Sequence, residues 1–419
     1  MKRIISILLL FTIVLTGCGS TQVADVASEL TEPVTITFWH VFSGDVEQAL
    51  QEITDDFNKQ NDMVTVELQT QQSYGNLETK LDAAQQSSTL PTLSIAYASW
   101  DELWSSYENI STYDTIKDYE MDFDNFVPAF LEEVKDEEGN ILGLPYNKST
   151  DVLFYNKDLV KQAGITTAPT SIEELFTDAK QITETTGVTG LGYDSLQNFL
   201  ATLMIADDVS WINDSGDFQF TDSKVESDIK LYQDAINDGY ARTKGEDDYF
   251  SDIMGSEKVA AYIGSSAGAS YIDSAVNGKF DWGTIPLPFA ATPQQGTNIV
   301  MYNTATPEEK LAAWEYLNYL YQDDNVVKFS LASGYMPATT SAINTEEYQQ
   351  AMKDNEVVQA TTDSIDKMQV SVPTFKGASE IFNNNMTNAM SKILDTNANI
   401  DDTLSTLCTE AQAIYERNK

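Results

Sequence analysis

The sequence predicts an α/β protein in which helices cover a mostly parallel β-sheet. Residues 34–38 alternate apolar and polar side chains as a half-buried strand does, and residues 46–57 then repeat apolar side chains at helical spacing. The same succession of strand and helix returns over residues 64–84 and leads into a third strand over residues 93–97. This βαβαβ order is typical of a parallel sheet with helices on its faces.

The residues that follow these three strands are the first candidates for a binding site. In open α/β sheets a ligand binds beyond the carboxyl ends of the strands. The candidates at these ends are Trp39, His40, Ser43, Tyr74 and Trp100.

The middle of the chain is more helical, with helices expected over residues 172–183, 198–205 and 224–236. Trp211 opens a predicted β-hairpin that ends at Phe220. Farther on, the chain has a short strand that runs into Ser265 and Ser266, a segment that begins at Trp282, and a long helix that begins at Pro307.

Length and charge limit the classes of function. The 419 residues suffice for two or three domains, and the formal net charge is −41. Such a surface repels polyanions, so we expect no nucleic-acid partner and no electrostatic binding to an anionic membrane. We infer no binding site from the acidity itself, because acidic side chains usually form a solvated surface.

The first residues resemble the signal segment of a bacterial lipoprotein. Lys2 and Arg3 precede an apolar stretch of about twelve residues, which is shorter than the ~20 that a membrane-spanning helix needs. It ends in Leu-Thr-Gly-Cys18, which resembles a lipobox, so residues 1–17 would be removed and Cys18 lipidated. Residues 18–33 then read as a flexible tether that leaves the protein outside the cell membrane, held by lipid. The alternative is an ordinary secretory signal in which Cys18 is incidental.

Cysteine count excludes a disulfide framework once Cys18 carries lipid, because Cys408 is the only other cysteine. Cys408 falls on a helical stripe with Leu404 and Ala411, so we expect it to be a small core residue.

The run LGLPYNKSTDVLFYNKD over residues 142–158 sets small polar side chains between two ordered elements. Gly143 and Pro145 interrupt the chain, and residues 152–155 form a β-prone apolar run. Hydrogen-bonding groups such as Ser149 would thereby stand at the edge of a cleft. From the pattern alone, the favoured interpretation of this run is one more strand of the sheet.

This run and the motifs around it resemble the extracellular solute-binding proteins of bacterial ABC importers, the group of the maltose- and glycerol-3-phosphate-binding proteins. The resemblance covers roughly residues 34–415. Its markers follow in order and are Phe38-Trp39-His40, Tyr74, the run at 142–158, the hairpin turn at 213–216, residues 263–266, Trp282-Gly283, Trp314 and residues 333–337.

The resemblance implies a two-lobe periplasmic-binding-protein-like fold (type II), with a ligand cleft between two α/β lobes. It implies three passages of the chain between lobes, which we place near Tyr146, Gly296 and Pro337. The predicted lobes are residues 34–145 with 297–336, and residues 146–296 with 337–419. Closure of the lobes on the ligand would be followed by docking on a permease and release.

Within the group, the nearest likeness is to binders of glycerol 3-phosphate and glycerophosphodiesters. Carried over to matching positions, it places Tyr74, Ser149, Ser266, Gly296 and Tyr335 in the cleft. Two positions depart from that pattern: Thr297 replaces a second glycine, and no arginine follows Phe375-Lys376-Gly377.

The missing arginine shifts the predicted ligand toward a neutral carbohydrate, because arginine is the preferred bidentate partner of phosphate. Aromatic rings stack on the apolar faces of sugars, while Asp, Asn and Ser bind hydroxyls. The candidate platforms are Trp39, Trp100, Trp211 and Trp282, although a tryptophan is more often a packing residue than a ligand platform.

The enzyme hypotheses find little support in the sequence. Residues 264–268 match the nucleophile-elbow pattern G-x-S-x-G, yet the sole histidine, His40, lies far upstream of it. We therefore expect Ser265 and Ser266 to bind ligand in a glycine-flanked turn, with no catalytic residue and no metal site. A secreted glycan hydrolase, which needs only two carboxylates, stays open as the alternative from another class.

The prediction is thus a substrate-binding lipoprotein of an ABC importer that captures an oligosaccharide or related polyol. The alternative is a binder of sn-glycerol 3-phosphate or a glycerophosphodiester. Expected partners are the ligand, the permease subunits and, through Cys18, the membrane; we expect a monomer without a cofactor.

Overall fold

The computed structural model describes residues 26–115, 120–136, 138–247 and 249–418. The predicted signal segment, Cys18 and the first part of the tether lie outside the described residues. Within these ranges, no helix is long and apolar enough to cross a membrane.

The strands make two five-stranded sheets, of order β2-β1-β3-β11-β4 and β7-β6-β8-β5-β9, joined by the pair β10-β12. Their bounds are β1 (Val34–His40), β2 (Val64–Thr70), β3 (Leu93–Ala96), β4 (Leu144–Ser149), β5 (Asp151–Asn156), β6 (Thr189–Tyr193), β7 (Ala241–Arg242), β8 (Val259–Ser265), β9 (Trp282–Pro286), β10 (Thr292–Pro293), β11 (Gln295–Met301) and β12 (Met368–Gln369).

The helices that cover these sheets are α1 (Gly44–Gln60), α2 (Tyr74–Ser87), α3 (Pro128–Glu132), α4 (Lys157–Gln162), α5 (Ile172–Thr186), α6 (Leu196–Ala206), α7 (Ser223–Asn237), α8 (Phe250–Gly255), α9 (Ala269–Val276), α10 (Pro307–Leu320), α11 (Asp323–Ser333), α12 (Thr340–Ile343), α13 (Glu346–Asp354), α14 (Glu356–Asp363), α15 (Ala378–Glu380), α16 (Thr387–Thr396) and α17 (Ile400–Asn418). Between α15 and α16 the chain widens into one π-helical turn at Ile381–Met386.

The two-lobe α/β fold that the sequence predicts is confirmed, but its sheets are mixed. In the first lobe β1 runs parallel to β2 and β3, whereas β11 runs antiparallel to β3 and β4. In the second lobe β5 runs antiparallel to β8 and β9, while β6 runs parallel to β7 and β8. The antiparallel pairs involve β4, β5 and β11, the strands that adjoin the passages between the lobes.

Each lobe has its own hydrophobic core. In the first lobe α10 packs against β1 and brings Trp314 and Tyr316, both fully buried, into the core. A capping box of Thr306 and Glu309, with Pro307 at the first helical position, sets the start of this helix. Tyr316 also reaches the buried Thr54 of α1, with hydroxyl oxygens 2.7 Å apart, so the buried phenol is satisfied.

The second core lies between the sheet and α5, α6, α7, α16 and α17. Trp211 is buried there, with its ring 5.5 Å from that of Phe220. Cys408 of α17 is half-buried against the same core, as expected for a small packing residue.

The chain passes between the lobes at positions that differ from the predicted ones near Tyr146, Gly296 and Pro337. Thr150 separates β4 of the first sheet from β5 of the second, and Gln294 separates β10 from β11. Ala338, Tyr348 and Val358 still pack in the first core, and α14, which carries Val358, also contacts β9 of the second sheet. The third passage therefore lies at α14, about 20 residues beyond the predicted boundary at Pro337.

Buried hydrogen bonds tie the first two passages together. The Thr150 hydroxyl donates to the carbonyl of Pro293 over 2.9 Å and lies 2.7 Å from the Thr292 hydroxyl. Asp151 accepts from Gln295 Nε2 over 2.8 Å and from the Tyr193 hydroxyl over 2.5 Å. The hinge therefore contains a buried carboxyl that contacts both passages.

Burial raises the pKa of Asp151 from its ordinary 3.8 to about 6, although both hydrogen bonds act in the opposite direction. The nearby Asp194 adds to the rise. A carboxyl whose pKa rises on folding stabilises the fold most below its unfolded pKa, and this stabilisation is lost as the pH rises through the folded value.

We predict that Asp151→Asn flattens part of the pH dependence of stability. Asparagine can keep both contacts, because Tyr193 can accept from the amide while donating to Thr202 over 3.1 Å. The free energy of unfolding of the wild type, relative to this variant, should fall by about 2 kcal/mol between about pH 4.5 and pH 7.5. Urea unfolding at both pH values measures the difference.

The control is Asp214→Asn, an exposed position in the hairpin turn of the second lobe, which should track the wild type at both pH values. Parallel pH profiles for the wild type and Asp151→Asn would show that the hinge carboxyl is not perturbed by burial.

Candidate ligand-binding cleft

A cavity of about 630 Å³ lies between the two lobes. From the first lobe it is lined by Tyr74, Gly75, Glu78, Tyr97, Ala98, Ser99, Trp100, Glu133 and Tyr335; from the second by Gln197, Asn198, Ser265, Ala267, Phe382 and Asn383; and from the connecting segments by Ser149, residues 294–296 and residues 370–372. Both lobes and the hinge therefore contribute to one site.

Local structure explains the position of the aromatic residues. Ser73 caps α2 by accepting from the backbone N–H of Asn76 over 3.2 Å, so Tyr74 begins the helix just beyond β2. Tyr97 and Trp100 follow the end of β3. Carboxyl ends of neighbouring parallel strands meet at one edge of a sheet, which brings these rings together.

The rings form one wall of the cavity. The centroids of Tyr74 and Tyr97 are 4.9 Å apart, and those of Tyr97 and Trp100 are 5.5 Å apart. Tyr335 lies parallel to Phe329 at 6.4 Å. Burial raises the pKa of the Tyr74 and Tyr335 hydroxyls above the ordinary value, so they stay protonated and able to donate at neutral pH.

Small polar groups stand where the lobes meet. Ser265, at the end of β8, donates to the Ser149 hydroxyl of β4 over 3.0 Å. Gly296 has φ +99, and a Cβ there would come within 1.9 Å of the Asn147 carbonyl oxygen. Only glycine allows this backbone approach, which leaves the segment flat against β4 at the cavity. Thr297 turns inward instead and donates to the Asn147 side chain.

Among the described residues that line the cavity, Gln294 has a buried side-chain amide without a hydrogen-bond partner. It is 4% exposed, and neither its amide oxygen nor its amide nitrogen has a hydrogen-bond partner among the described residues. An unsatisfied buried polar group costs about 1–3 kcal/mol, so such a group in a cavity calls for an explanation.

The charges at the cavity are acidic. Glu78 and Glu133 line it, and within the described residues its lining includes no lysine, arginine or histidine. Lys148, which directly precedes the lining residue Ser149, is fully buried and ion-paired with Glu133. Burial lowers the pKa of Lys148, while the contact with Glu133 acts against that fall. Asn298 adds a hydrogen bond of 3.3 Å to the same carboxylate.

The structure places half of the sequence-predicted binding residues on this cavity. These residues are Tyr74, Trp100, Ser149, Ser265, Gly296 and Tyr335. The other six do not line it, and their positions explain why.

His40 faces the first core, since alternation along β1 puts it on the same side as Phe38. It stacks on Phe42 at 5.7 Å and accepts from the Phe42 backbone N–H. Burial lowers the pKa of His40 to about 4, so it is neutral at pH 7. Its neighbour Trp39 donates to Gln69 on the adjacent strand over 2.9 Å, and Ser43 is exposed before α1.

Three second-lobe residues also lie away from the cavity. Trp211 is a core residue of that lobe, and it reaches the cavity only through the ring of Phe382, 6.4 Å away. Trp282 lies on the outer strand β9 and donates to Asp273 over 3.0 Å. Ser266 is fully buried in the turn after β8, where its backbone N–H donates to the Thr150 carbonyl over 2.8 Å.

Several lining residues were missed by the sequence prediction. Tyr97 and Gln294 had a usable signal, because one ends a predicted strand and the other lies two residues before the predicted Gly296. Gln197, Asn198 and Asn383 had none, because they reach the cleft from helical segments whose packing depends on the whole second lobe.

A second, apolar cavity of about 290 Å³ lies within the second lobe, between α4, α5 and its sheet. Leu153, Leu175 and Ile285 are among its lining residues. The interlobe cavity combines polar groups from both lobes and the connecting segments, whereas this one is lined within a single lobe and mostly by apolar side chains, so the interlobe cavity is the candidate ligand site.

Comparisons with known proteins agree with this architecture. The family model described as bacterial extracellular solute-binding protein matches residues 52–358. The sn-glycerol-3-phosphate-binding periplasmic protein UgpB of Brucella abortus is 24% identical over 357 residues, which cover 80% of this chain and 81% of that protein.

Solved structures share the fold at low identity. UgpB from Mycobacterium tuberculosis, in complex with glycerophosphocholine, superposes with a TM-score of 0.80 at 19% identity, over 92% of this chain and 99% of that one. The sugar-binding protein MalE of Xanthomonas citri has a TM-score of 0.79 at 19% identity, over 92% of this chain and 98% of that one.

Proposed function

Because the chain belongs to the bacterial extracellular solute-binding proteins, we propose that it captures a neutral oligosaccharide or related polyol between its lobes and delivers it to an ABC permease. The observation that carries the choice of ligand is the cavity lining. It combines an aromatic wall, amides and hydroxyls with the carboxylates of Glu78 and Glu133, and the described part of the lining includes no lysine, arginine or histidine.

The lining suits a polyhydroxyl ligand. Tyr74, Tyr97 and Trp100 offer ring faces to the apolar sides of sugar rings. Ser149, Ser265 and the surrounding amides offer donors and acceptors to hydroxyls, which themselves both donate and accept. Such a ligand brings no charge into a cleft that already holds carboxylates.

An anionic ligand fits this lining poorly. Among the described residues, the lining offers a phosphate no lysine, arginine or histidine, and Lys148, next to the lining residue Ser149, is already paired with Glu133. Taking Lys148 away from Glu133 would leave a buried charge uncompensated, which costs about 3–5 kcal/mol. This argues against sn-glycerol 3-phosphate as the ligand.

One observation favours a second candidate, a glycerophosphodiester with a cationic head group. The aromatic wall and the two carboxylates together are also the surroundings that a quaternary ammonium prefers. The relative from Mycobacterium tuberculosis was solved with such a compound, glycerophosphocholine.

The proposed action is binding without chemical conversion. The hinge at Thr150 and Gln294 allows the lobes to close, and a ligand that contacts both lobes biases the equilibrium toward the closed form. A permease then takes the ligand from the closed protein. Release of a shortened glycan by the purified protein would contradict this account and favour the hydrolase alternative.

For the location of the protein, we propose that lipid on Cys18 holds it at the outer face of the cell membrane. The family is extracellular, and the lipobox-like Leu15–Cys18 supplies the attachment chemistry. Two acyl chains suffice for stable anchoring where one does not.

We predict that Cys18→Ser abolishes lipidation of the protein. The hydroxyl cannot form the thioether that carries diacylglycerol, so the variant should lose labelling by an alkyne fatty acid and keep the uncleaved signal segment. Cys408→Ser is the matched control and should keep the labelling and the cleavage of the wild type. Equal labelling of the wild type and the Cys18 variant would contradict lipidation at this residue.

For the ligand, we predict that calorimetric titration of the chain from residue 19 onward finds micromolar or tighter binding of a neutral oligosaccharide. The panel is malto-, galacto- and xylo-oligosaccharides, sn-glycerol 3-phosphate and glycerophosphocholine. Trp100→Ala should weaken binding at least about tenfold, which is about 1.4 kcal/mol, because a stacking surface is lost.

Trp282→Ala is the matched control, since it removes the same side chain from a position outside the cavity, and it should leave affinity unchanged. Thermal unfolding of both variants verifies the fold. Binding of glycerophosphocholine alone would select the second candidate, and equal loss in both tryptophan variants would contradict the assignment of the cleft.

A further inference from the structure

The backbone of Gln294 is held in place by hydrogen bonds, whereas its side-chain amide has no hydrogen-bond partner among the described residues. Its backbone N–H donates to the Gln369 carbonyl over 2.8 Å, and the preceding strand β10 pairs with β12. On its other side, Gln295 is held by Asp151. The side chain is 4% exposed and lines the interlobe cavity.

The contrast with Gln295 is informative. The amide N–H of Gln295 donates to the carboxyl group of Asp151, whereas both polar atoms of the Gln294 amide lack a partner among the described residues. Buried amides are almost always hydrogen-bonded in folded proteins. A buried amide with an unpartnered donor and an unpartnered acceptor, on a residue that lines a polar cavity, is a candidate site for a hydrogen-bonding ligand.

We infer that Gln294 is a specificity-determining residue that binds two adjacent hydroxyls of the ligand, donating to one and accepting from the other. The inference rests on the proposed ligand-binding function of the cleft. An amide offers N–H donors and a carbonyl acceptor side by side, and neighbouring hydroxyls can match both.

This pairing discriminates against ligands that only accept hydrogen bonds. A phosphate placed at Gln294 would satisfy the amide nitrogen and leave the amide oxygen unpaired, which weakens binding. A sugar that lacks one of the two hydroxyls would also leave one amide atom unpaired. The residue therefore selects vicinal diols by hydrogen bonding.

The position of Gln294 also couples this contact to the hinge. It follows Pro293, whose carbonyl accepts from Thr150, and precedes Gln295, which contacts Asp151. A ligand held by Gln294 thus touches the segment where the chain passes between the lobes.

The test compares Gln294→Met with the wild type in the chain from residue 19 onward, using the panel described above. Methionine keeps the length of the side chain and removes both polar atoms. The affinity for the best sugar should fall about 10- to 100-fold. Deoxy analogues of that sugar should bind the wild type more weakly than the parent sugar does. In the variant, the difference in affinity between the parent sugar and its deoxy analogues should be smaller. Gln369→Met, on the paired strand but outside the cavity, is the control and should change neither value.

Thermal unfolding without ligand gives an independent result. Removal of an unsatisfied amide should leave the melting temperature of Gln294→Met unchanged or raised, whereas a drop of several degrees would mean that the amide is used within the protein. That drop would overturn the inference even if no compound in the panel binds.

Failure of the inference and failure of the proposed ligand class give different results. Equal sugar affinity in the wild type and Gln294→Met would overturn the role of Gln294 and leave the sugar assignment intact. If only glycerophosphocholine binds, the sugar assignment fails, yet the vicinal diol of its glycerol should still depend on Gln294. Equal affinity of both proteins for that compound would then overturn the inference.

Discussion

The architecture depends on the hydrogen bonds that join the two chain passages at the hinge. Thr150 and Asp151 of one passage contact Thr292, Pro293 and Gln295 of the other within the buried interior. The two passages run side by side, and under the proposed function the lobes rotate about this point. The same segments carry Ser149, Gln294 and Gly296, so the proposed hinge also lines the candidate ligand cleft.

Electrostatics complements this geometry. The chain carries a formal net charge of −41, and the cavity retains that character through Glu78 and Glu133. The buried pair of Lys148 and Glu133 supplies a positive charge only where it is already matched. A buried ion pair of this kind is weak evidence for stability, but it means that the charge of Lys148 is already matched by Glu133. Under the proposed function, recognition rests on ring faces and hydrogen bonds instead of on charge.

The sequence predicts best what depends on local pattern. Tyr74 and Trp100 could be placed at the cavity because they follow strand ends, and the end of a strand can be predicted from a short stretch of sequence. His40 also lies at a strand end, but its side chain points into the core. The alternation along β1 predicts this orientation, because Ile36, Phe38 and His40 lie on the same face of the strand. Trp282 could not be placed, because its distance from the cleft depends on β9 being the outer strand of the sheet. The third passage was misplaced because α12 to α14 have the same helical pattern whichever lobe they cover.

The most direct test of the account is a crystal structure of the chain from residue 19 onward with the tightest-binding sugar of the panel. The account predicts ligand density between the lobes, with a sugar ring against Tyr74 or Trp100 and hydroxyls at Ser265 and Gln294. Density elsewhere, such as in the apolar cavity beside Leu153 and Ile285, with an empty cleft, would contradict it.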